Sequence, residues 1–474
     1  MTGNIVSTRT PTLKWALPTG GFTSVHVEVC ANADHRCLAP VWQQDVTGTT
    51  ATVGASANLD GHLFFWRAFT IDVDAAKTRG TVPSFTWECE GHGTASAPIS
   101  TSWWGFADIE GDGVADLVAQ TGTGVAEYQG VKGTGVTAGN VGGSFAGGGV
   151  LEGIGDFNGD GLTDVLTTGG VISGSSGGLP AALSWASQAM FFESPVALAD
   201  MNGDGYADVA ATDQATSLYV LYGSKSWFGT AASQTITLPA GSTTFNLLPI
   251  GDVNGDGYDD LLATDNGFGS NVGRAYVYLG SSSGFPATPQ TLKNPGTGTR
   301  FGWGATRLGD VNGDGYADVL IVAFSSIQTL YIYYGGPGGL TTPSTIVTDF
   351  SAIVGTPGIA GLPEDGDFNG DGYEDVLLWG TTGNVDQPST DVIWFGGPNG
   401  ITAPTGTVTS PKMTINNVGV YTPCNLGDLN DDGISDFGIQ NASANGPTQI
   451  FYGSAGTFPT TAATSIPLAG YPAW

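Results

Sequence analysis

The sequence is poor in basic side chains and in the groups that activate a nucleophile. It has 13 Lys and Arg against 43 Asp and Glu, which gives a formal net charge of −30. Nucleic acids and anionic membranes are therefore unfavourable partners. All 4 histidines lie near the start, at His26, His35, His62 and His92. The rest of the chain cannot form a Ser-His-Asp or Cys-His arrangement of its own, and we expect no enzyme.

Other absent features narrow the class of protein further. No apolar run is long enough to cross a membrane, and Met1-Thr2-Gly3 is not followed by a signal-peptide pattern, which fits a mature or truncated start. The glycine-rich stretch Gly142–Gly149 lacks the Lys-Ser/Thr ending of a phosphate-binding loop. Only 4 cysteines are present. Cys30 and Cys37 are close enough to bridge a hairpin, whereas the pairing of Cys89 and Cys424 stays open.

The chain contains a nine-residue acidic segment that repeats along the sequence. It occurs seven times, and we call each copy an acidic loop, with positions one to nine. Every copy has an acid at positions one, five and nine and Gly at position six. The copies begin at Asp108, Asp156, Asp200, Asp252, Asp310, Asp367 and Asp428.

This spacing suits a hard divalent cation. Such an ion prefers six to eight oxygen ligands, and alternate residues of a tight loop can direct their side chains to one centre. The absence of clustered Cys and His favours Ca²⁺, about one ion per loop and seven in all. Positions one, three, five and nine supply the predicted ligands, which are Asp108, Glu110, Asp112, Asp116, Asp156, Asn158, Asp160, Asp164, Asp200, Asn202, Asp204, Asp208, Asp252, Asn254, Asp256, Asp260, Asp310, Asn312, Asp314, Asp318, Asp367, Asn369, Asp371, Asp375, Asp428, Asn430, Asp432 and Asp436.

The acidic loops have two other interpretations, an EF-hand and an acidic turn without an ion. An EF-hand opens in the same way but requires a bidentate Glu at position twelve, where these loops have Ala119, Thr167, Ala211, Ala263, Ile321, Leu378 and Ile439. An acidic turn without an ion would leave converging carboxylates to repel each other. We expect the ions to be structural, because each loop supplies its own ligands and leaves little room for a substrate.

Two acidic loops are irregular. Glu110 replaces Asn at position three of the first loop, and Asp431 replaces Gly at position four of the last. We expect these two sites to bind most differently from the other five. Equal affinities at all seven sites by calorimetry would contradict this.

The chain divides into an N-terminal domain and a repeat region. Residues 1–95 alternate apolar and polar residues in short runs, such as Thr12–Leu17, Val25–Cys30, Leu63–Phe69 and Pro83–Trp87, which predicts a small immunoglobulin-like or fibronectin-III-like β-sandwich. Residues 96–102 form a linker. Residues 103–474 carry the acidic loops at intervals of 48, 44, 52, 58, 57 and 61 residues, the period of a propeller blade.

Each repeat predicts four strands. In one unit we expect an innermost strand at Phe301–Gly309, then the acidic loop, and a second strand at Val319–Ala323. A third, aromatic strand ends in Gly, as in Tyr276–Gly280, Tyr331–Gly335 and Gln449–Gly453, and a variable fourth follows. The fold class is therefore all-β, a seven-bladed β-propeller preceded by a small β-sandwich. Ring closure by an overlap strand from Ala97–Ser102 is one option.

Phe301-Gly302, the acidic loop and the aromatic strand together resemble the FG-GAP repeat of the integrin-α propeller and its bacterial relatives. The resemblance covers about residues 100–474, although Val322-Ala323-Phe324 stands near the place of the Gly-Ala-Pro element. There is no Arg-Gly-Asp and no Asp-x-Ser-x-Ser motif. The resemblance implies that the acidic loops lie on one rim and that partners bind the opposite face.

These observations predict an extracellular or cell-surface, monomeric binding protein without membrane insertion. A protein partner in adhesion is the first expectation, a carbohydrate bound between blades is the alternative, and an accessory propeller of a secreted hydrolase is a third. The opposite face should be built by Thr264–Arg274, Asn294–Trp303, Gly380–Asp391, Pro411–Val420 and Gln440–Thr448. Within these segments Arg274, Arg300, Trp303 and Asn445 are the candidate ligand-binding side chains.

Overall fold

The computed structural model of the chain describes part of the N-terminal region and most of the repeat region. The described residues are 12–14, 24–31, 42–46, 50–52, 64–71, 104–107, 109–110, 116–121, 124–131, 133–137, 141–146, 151–160, 162–186, 193–198, 200–204, 206–213, 216–229, 231–241, 246–256, 258–296, 299–324, 328–343, 345–348, 364–369, 373–380, 390–401, 412–413, 421–427, 429–430, 434–441, 448–454 and 462–466.

The described N-terminal region forms two small antiparallel sheets. Its strands are β1 (Thr12–Lys14), β2 (Ser24–Ala31), β3 (Trp42–Val46), β4 (Thr50–Thr52) and β5 (Phe64–Ile71). β1 pairs with β4, and β2 lies between β3 and β5. Three of the four predicted runs thus contain strands. Cys37, Cys89, Pro83–Trp87 and the linker lie outside the described residues, so the disulfide and the sandwich stay predictions.

The repeat region forms seven four-stranded antiparallel sheets. Each takes four consecutive strands in the order of the sequence, and we number the sheets one to seven along the chain. The strands of sheets one to three are β6 (Trp104–Ala107), β7 (Asp116–Thr121), β8 (Gly124–Tyr128), β9 (Val141–Ala146), β10 (Leu151–Gly155), β11 (Asp164–Thr167), β12 (Gly170–Ile172), β13 (Trp185–Ala186), β14 (Glu193–Leu198), β15 (Asp208–Thr212), β16 (Ser217–Leu221) and β17 (Gln234–Thr237).

Sheets four to seven continue the pattern, and sheet four contains one helical turn, α1 (Phe268–Asn271), between its second and third strands. Their strands are β18 (Asn246–Gly251), β19 (Asp260–Asp265), β20 (Arg274–Tyr278), β21 (Gln290–Lys293), β22 (Phe301–Gly309), β23 (Asp318–Phe324), β24 (Gln328–Tyr333), β25 (Thr345–Thr348), β26 (Glu364–Gly366), β27 (Asp375–Gly380), β28 (Thr390–Trp394), β29 (Lys412–Met413), β30 (Tyr421–Gly427), β31 (Asp436–Asn441), β32 (Thr448–Phe451) and β33 (Thr464–Ile466).

The all-β, propeller-like fold class predicted from the sequence is confirmed. The innermost strand was predicted at the observed bounds in β22, and the second strand within one residue of β23. The aromatic strands end two residues earlier than predicted, because the residues before the final Gly leave the ladder. No helix in the described part of the chain has the length and apolar character needed to cross a bilayer.

In sheets one to six, one apolar residue packs each sheet against a neighbouring sheet. After the Gly that follows the third strand, a tight turn presents one buried side chain, and we call these the wedge residues: Val136, Leu179, Phe228, Phe285, Leu340 and Ile401. Phe285 of sheet four, for example, packs with Leu218 and Val220 of sheet three. Burying an aromatic side chain in such a cluster stabilises the fold by a few kcal/mol, about 1.5–3.

The first and last sheets are neighbours. Val136 of sheet one packs in one cluster with Leu426, Leu429 and Ile450 of sheet seven. The Tyr452 hydroxyl of sheet seven donates a 3.0 Å hydrogen bond to the Thr134 carbonyl, and Gly133 N–H donates to the Asn430 carbonyl at 2.5 Å. Side-chain packing and these bonds join the two ends of the repeat region. Ala97–Ser102, the predicted overlap strand, lies outside the described residues.

Candidate functional site

The position-nine aspartates of the acidic loops are buried clamps. All seven have no exposed surface: Asp116, Asp164, Asp208, Asp260, Asp318, Asp375 and Asp436. In each, one carboxylate oxygen accepts the N–H of position two of the same loop, and the other accepts the N–H of the Gly that follows the third strand. In sheet five, Asp318 accepts Val311 N–H at 3.1 Å and Gly335 N–H at 2.9 Å. The residue thus ties the loop to the third strand.

Positions one, three and five organise the backbone of the acidic loop. In sheet four, Asp252 Oδ1 accepts Gly255 N–H at 2.6 Å and Asp256 N–H at 3.1 Å. Asn254 Oδ1 accepts Asp256 N–H at 2.9 Å, and its amide donates to Asp256 Oδ2 at 3.1 Å. Sheets three and five repeat the pattern. The local order of the loop follows from these Asx-type bonds.

Consecutive acidic loops are bonded to one another along one face of the repeat region. The position-eight N–H donates to the position-one carbonyl of the preceding loop, as from Ala207 to Asp156 at 2.9 Å and from Ala317 to Asp252 at 3.0 Å. In the third, fourth and sixth loops, the position-seven Tyr covers the position-four Gly of the preceding loop. A Cβ on Gly313 would lie 2.6 Å from the ring of Tyr373, and Gly313 has φ 72°. This contact and this φ explain the recurrence of Asn-Gly in the loops.

The acidic loops concentrate negative charge around position nine. Burial, together with the charges of Asp156 and Asp160, raises the pKa of Asp164 to about 8. Burial, with the charges of position one and position five, also raises the pKa of Asp208, Asp260 and Asp318 well above the usual range. A cation nearby would favour the ionised form of each.

The donor set fits a hard divalent cation. It consists of carboxylate and amide oxygens, and a carboxylate has about four lone-pair sites, so position nine can accept two N–H groups and still offer a ligand. Position three varies, because Asn158 and Asn369 donate to the position-nine carboxylate at 3.4 Å, whereas Asn202 and Asn254 donate to position five. The predicted ligands Asp108, Asp112, Asp371, Asp428 and Asp432 lie outside the described residues, as does Asp431.

The face opposite the acidic loops has a second candidate site where sheets four and five meet. We call it the opposite-face cluster, residues 266–274, 294–296, 299–303 and Phe324. Arg300 N–H donates to the Asn271 carbonyl at 2.7 Å, and the Asn294 amide donates to the Val272 carbonyl at 3.0 Å. Gly273 and Phe301 form a parallel bridge. The two connections therefore form one bonded unit.

Backbone strain is concentrated in the opposite-face cluster. Of the four described non-glycine residues with positive φ, three lie here: Ser270 at 63°, Asn271 at 71° and Arg300 at 55°. A left-handed conformation costs a residue with a Cβ roughly 1–2 kcal/mol. Such strain persists where the surrounding structure holds it, and it is enriched at ligand-binding sites.

The side chains of the opposite-face cluster combine aromatic and cationic groups. The Arg274 guanidinium carbon lies 3.3 Å from the centre of the Phe268 ring. Trp303 stacks on Phe324, with ring centres 5.0 Å apart and planes at 27°. Arg300 is exposed, and Phe268, Arg274, Trp303 and Phe324 are half-buried. The structure thus brings together three of the four predicted side chains, while Asn445 lies outside the described residues.

Three features were missed by the sequence analysis. The wedge residues could have been found, because in sheets two to six an apolar residue recurs five positions after the Gly of the third strand, as in Gly280 and Phe285. The clamp role of position nine has no signal beyond its invariance. Asp265, beside Arg274 in the ladder, is buried and neither of its oxygens accepts a hydrogen bond, whereas Asp213, at the same place in sheet three, accepts N–H groups from Thr216 and Ser217.

Comparisons with known proteins agree with this repeat. Residues 200–263 and 252–321 match the FG-GAP-like repeat family. Integrin alpha-8 of Mus musculus is 35% identical over 144 residues, 27% of this chain and 14% of the integrin. Integrin alpha-5 of Xenopus laevis is 31% identical over 195 residues, 37% of this chain and 17% of the integrin. The chain thus spans under a fifth of the length of these relatives.

Among solved structures, an Agrocybe aegerita lectin that recognises non-reducing terminal N-acetylglucosamine has a similar fold. Its TM-score is 0.50 at 18% identity, and the match covers 78% of this chain and 94% of the lectin chain. At this identity the likeness concerns the fold alone. Two segments of this chain therefore match FG-GAP-like repeats, and over 144 residues the chain is similar to an integrin α chain.

Proposed function

We propose that the chain is an extracellular, calcium-stabilised binding protein in which the seven sheets form the blades of a closed propeller. The opposite-face cluster binds a protein partner, as in adhesion. The observation that carries this proposal is the concentration of strained, exposed residues at Ser270, Asn271 and Arg300. The similarity to integrin α chains supports it.

The chemistry of the cluster suits a protein ligand. Arg274 is already ordered against Phe268, so it can pair with a carboxylate at a lower entropic cost than a free arginine. Arg300 adds an exposed cation on a backbone held by hydrogen bonds. An acidic segment of a partner is the ligand that these two arginines favour.

Calcium has a structural role in this proposal. The acidic loops lie on the other face and are bonded from sheet to sheet, so ions bound there would hold the blades together without contacting the partner. The second candidate function is carbohydrate binding, which the half-buried Trp303–Phe324 stack favours because a pyranose ring can pack on such a surface.

The experiment is binding of the labelled chain to the surface of cultured cells, with Arg274→Ala, Arg300→Ala and Trp303→Ala variants. A protein partner predicts binding that protease removes and glycosidase leaves, with loss of at least tenfold in affinity for both arginine variants. Lys225→Ala, an exposed basic residue on the acidic-loop face, is the matched control and should bind as wild type.

A glycan array separates the two candidates. Calcium-dependent hits that only Trp303→Ala abolishes would replace the protein partner with a sugar. Unchanged cell binding by all three variants would refute the opposite-face cluster as the binding site.

A further inference from the structure

A carboxylate occupies a core position in sheet one. Glu127 lies on β8 and has no exposed surface. Counted back from the Gly that follows the third strand, the same position holds an aliphatic side chain in the other six sheets, namely Val171, Val220, Val277, Ile332, Ile393 and Ile450. Burying an ionised carboxylate is costly unless a counter-charge compensates it. Sheet one therefore needs a compensating charge at this position, which the other six sheets do not need.

Two further carboxylates surround Glu127. Oxygen atoms of Glu110, Asp116 and Glu127 all lie within 4.8 Å of one another. Glu127 Oε2 accepts the Leu179 N–H at 2.6 Å, but Oε1 accepts no hydrogen bond. Burial raises the pKa of Glu127 to about 7 and that of Asp116 to about 6. The group of three is thus unfavourable as bare anions.

Basic side chains are scarce in this part of the chain. Between residues 80 and 224 the sequence contains one Lys and no Arg; this residue, Lys132, lies outside the described residues, and sheet two has neither Lys nor Arg. One lysine cannot neutralise three carboxylates. The described residues of sheets one and two therefore include no basic side chain, and three carboxylate oxygens at mutual distances below 5 Å are typical ligands of a hard divalent cation.

We propose that Glu110, Asp116 and Glu127 bind one divalent cation of the Ca²⁺ class, buried between sheets one and two. Glu110, at position three of the first acidic loop, contributes its longer arm to this centre, and Glu127 joins it from the third strand. Glu127 also keeps the wedge residue Leu179 in place through its other oxygen. The site is independent of the opposite-face cluster and of the remaining six loops.

The test compares Glu127→Gln with wild type. Gln preserves the shape and can accept the Leu179 N–H, as the chain itself shows at Gln234, whose Oε1 accepts the N–H of wedge residue Phe285 at 3.0 Å. Calcium per chain is measured after equilibrium dialysis at saturating free Ca²⁺. We expect Glu127→Gln to bind one ion fewer than wild type. Asp213→Asn, which removes a carboxylate on the opposite face, should bind the same number.

A second variant tests the proposal through melting temperatures, which remain informative if the substitution changes the stability of the fold. Glu127→Val installs the residue that sheets two, three and four carry at this position. In excess chelator its melting temperature should lie above that of wild type, since the buried repulsion is gone, and in saturating Ca²⁺ the order should reverse. Equal ion counts in wild type and Glu127→Gln, or the same order of melting temperatures in both conditions, would overturn the proposal.

The ion count also separates this inference from calcium binding by the other acidic loops. A wild-type chain with one ion that Glu127→Gln lacks would support the buried site and refute ions in the remaining loops. Several ions that Glu127→Gln retains in full would support the loops and refute the buried site.

Discussion

The two faces of the repeat region are built from connections of very different regularity. On one face, eight residues separate the first and second strands in six of the seven sheets, and nine in the third. On the other face, the number of residues between the second and third strands ranges from two in sheets one and two to nine in sheet six. The regular face carries the same two position-nine hydrogen bonds in all seven sheets, and the irregular face carries three of the four described non-glycine residues with positive φ. Stability therefore depends on the repeated connections, and specificity can vary in the others.

The largest effect should come from a wedge residue on the regular face. Phe285→Ala removes a buried ring between sheets three and four, and we expect a loss of about 3–5 kcal/mol in the free energy of unfolding. Phe268→Ala on the irregular face removes a half-buried ring and should cost less than half as much. Urea denaturation of both variants measures the contrast. Similar losses would show that both faces contribute equally to stability.

The next effect concerns the buried clamps. Asp318→Ala leaves the N–H groups of Val311 and Gly335 without their acceptor, at about 1–3 kcal/mol for each buried donor. Asp213→Ala, which removes a turn carboxylate on the irregular face, is the control, and about 1 kcal/mol is expected because its donors are near solvent. The comparison fails if Asp213→Ala proves the more destabilising of the two in thermal unfolding.

Calcium removal should lower the stability that the acidic-loop face provides and leave the contribution of the opposite face unchanged. An ion bound only by the folded state stabilises it by about 2.7 kcal/mol at a concentration of 100 Kd. Asp314→Ala should lower the melting temperature in Ca²⁺, because the variant loses a ligand of the bound ion. In chelator no ion is bound, so the melting temperatures of the variant and the wild type should differ little. Calorimetric unfolding in both conditions provides the measurement. A melting temperature of wild type that chelator leaves unchanged would contradict the calcium-stabilised fold.

The smallest expected effect is an increase in the free energy of unfolding. Arg300→Gly relieves a positive φ of 55° and should raise the free energy of unfolding by up to about 1 kcal/mol while weakening partner binding. Arg307 lies on the following strand, β22, and has no positive φ, so Arg307→Gly should lower the free energy of unfolding. If Arg300→Gly lowers stability, the strain argument for the opposite-face cluster is wrong.

Much of this architecture was predictable because it repeats. Seven copies of one acidic loop, each followed by a strand such as Asp318–Phe324, indicated the all-β class, the position of the loops between first and second strands, and the bounds of Phe301–Gly309. The oxygen donors of the loops also followed from the spacing of Asp and Asn. Calcium binding, the ion count and the N-terminal sandwich remain predictions.

The roles of individual residues in the loops were harder to predict. From the sequence, Asp318 was a ligand like Asp310 and Asp314. In the structure its carboxylate is buried and accepts one N–H from Val311 of its own loop and one from Gly335, which follows the third strand and lies outside the loop. The wedge residues have a recurring position in the sequence, although the sheet they contact precedes them by one repeat. Glu127 had no signal as a cation ligand, because its partners lie on another strand and in the loop.

The sequence by itself determined the period, the acidic loops and the alternation of apolar residues that makes sheets, since local spacing controls turns and strands. Only the tertiary structure decided which sheets are neighbours, how Val136 meets sheet seven, and why Ser270, Asn271 and Arg300 share one surface. These contacts join residues far apart in the chain, and their energies depend on burial and on partners that no local pattern specifies.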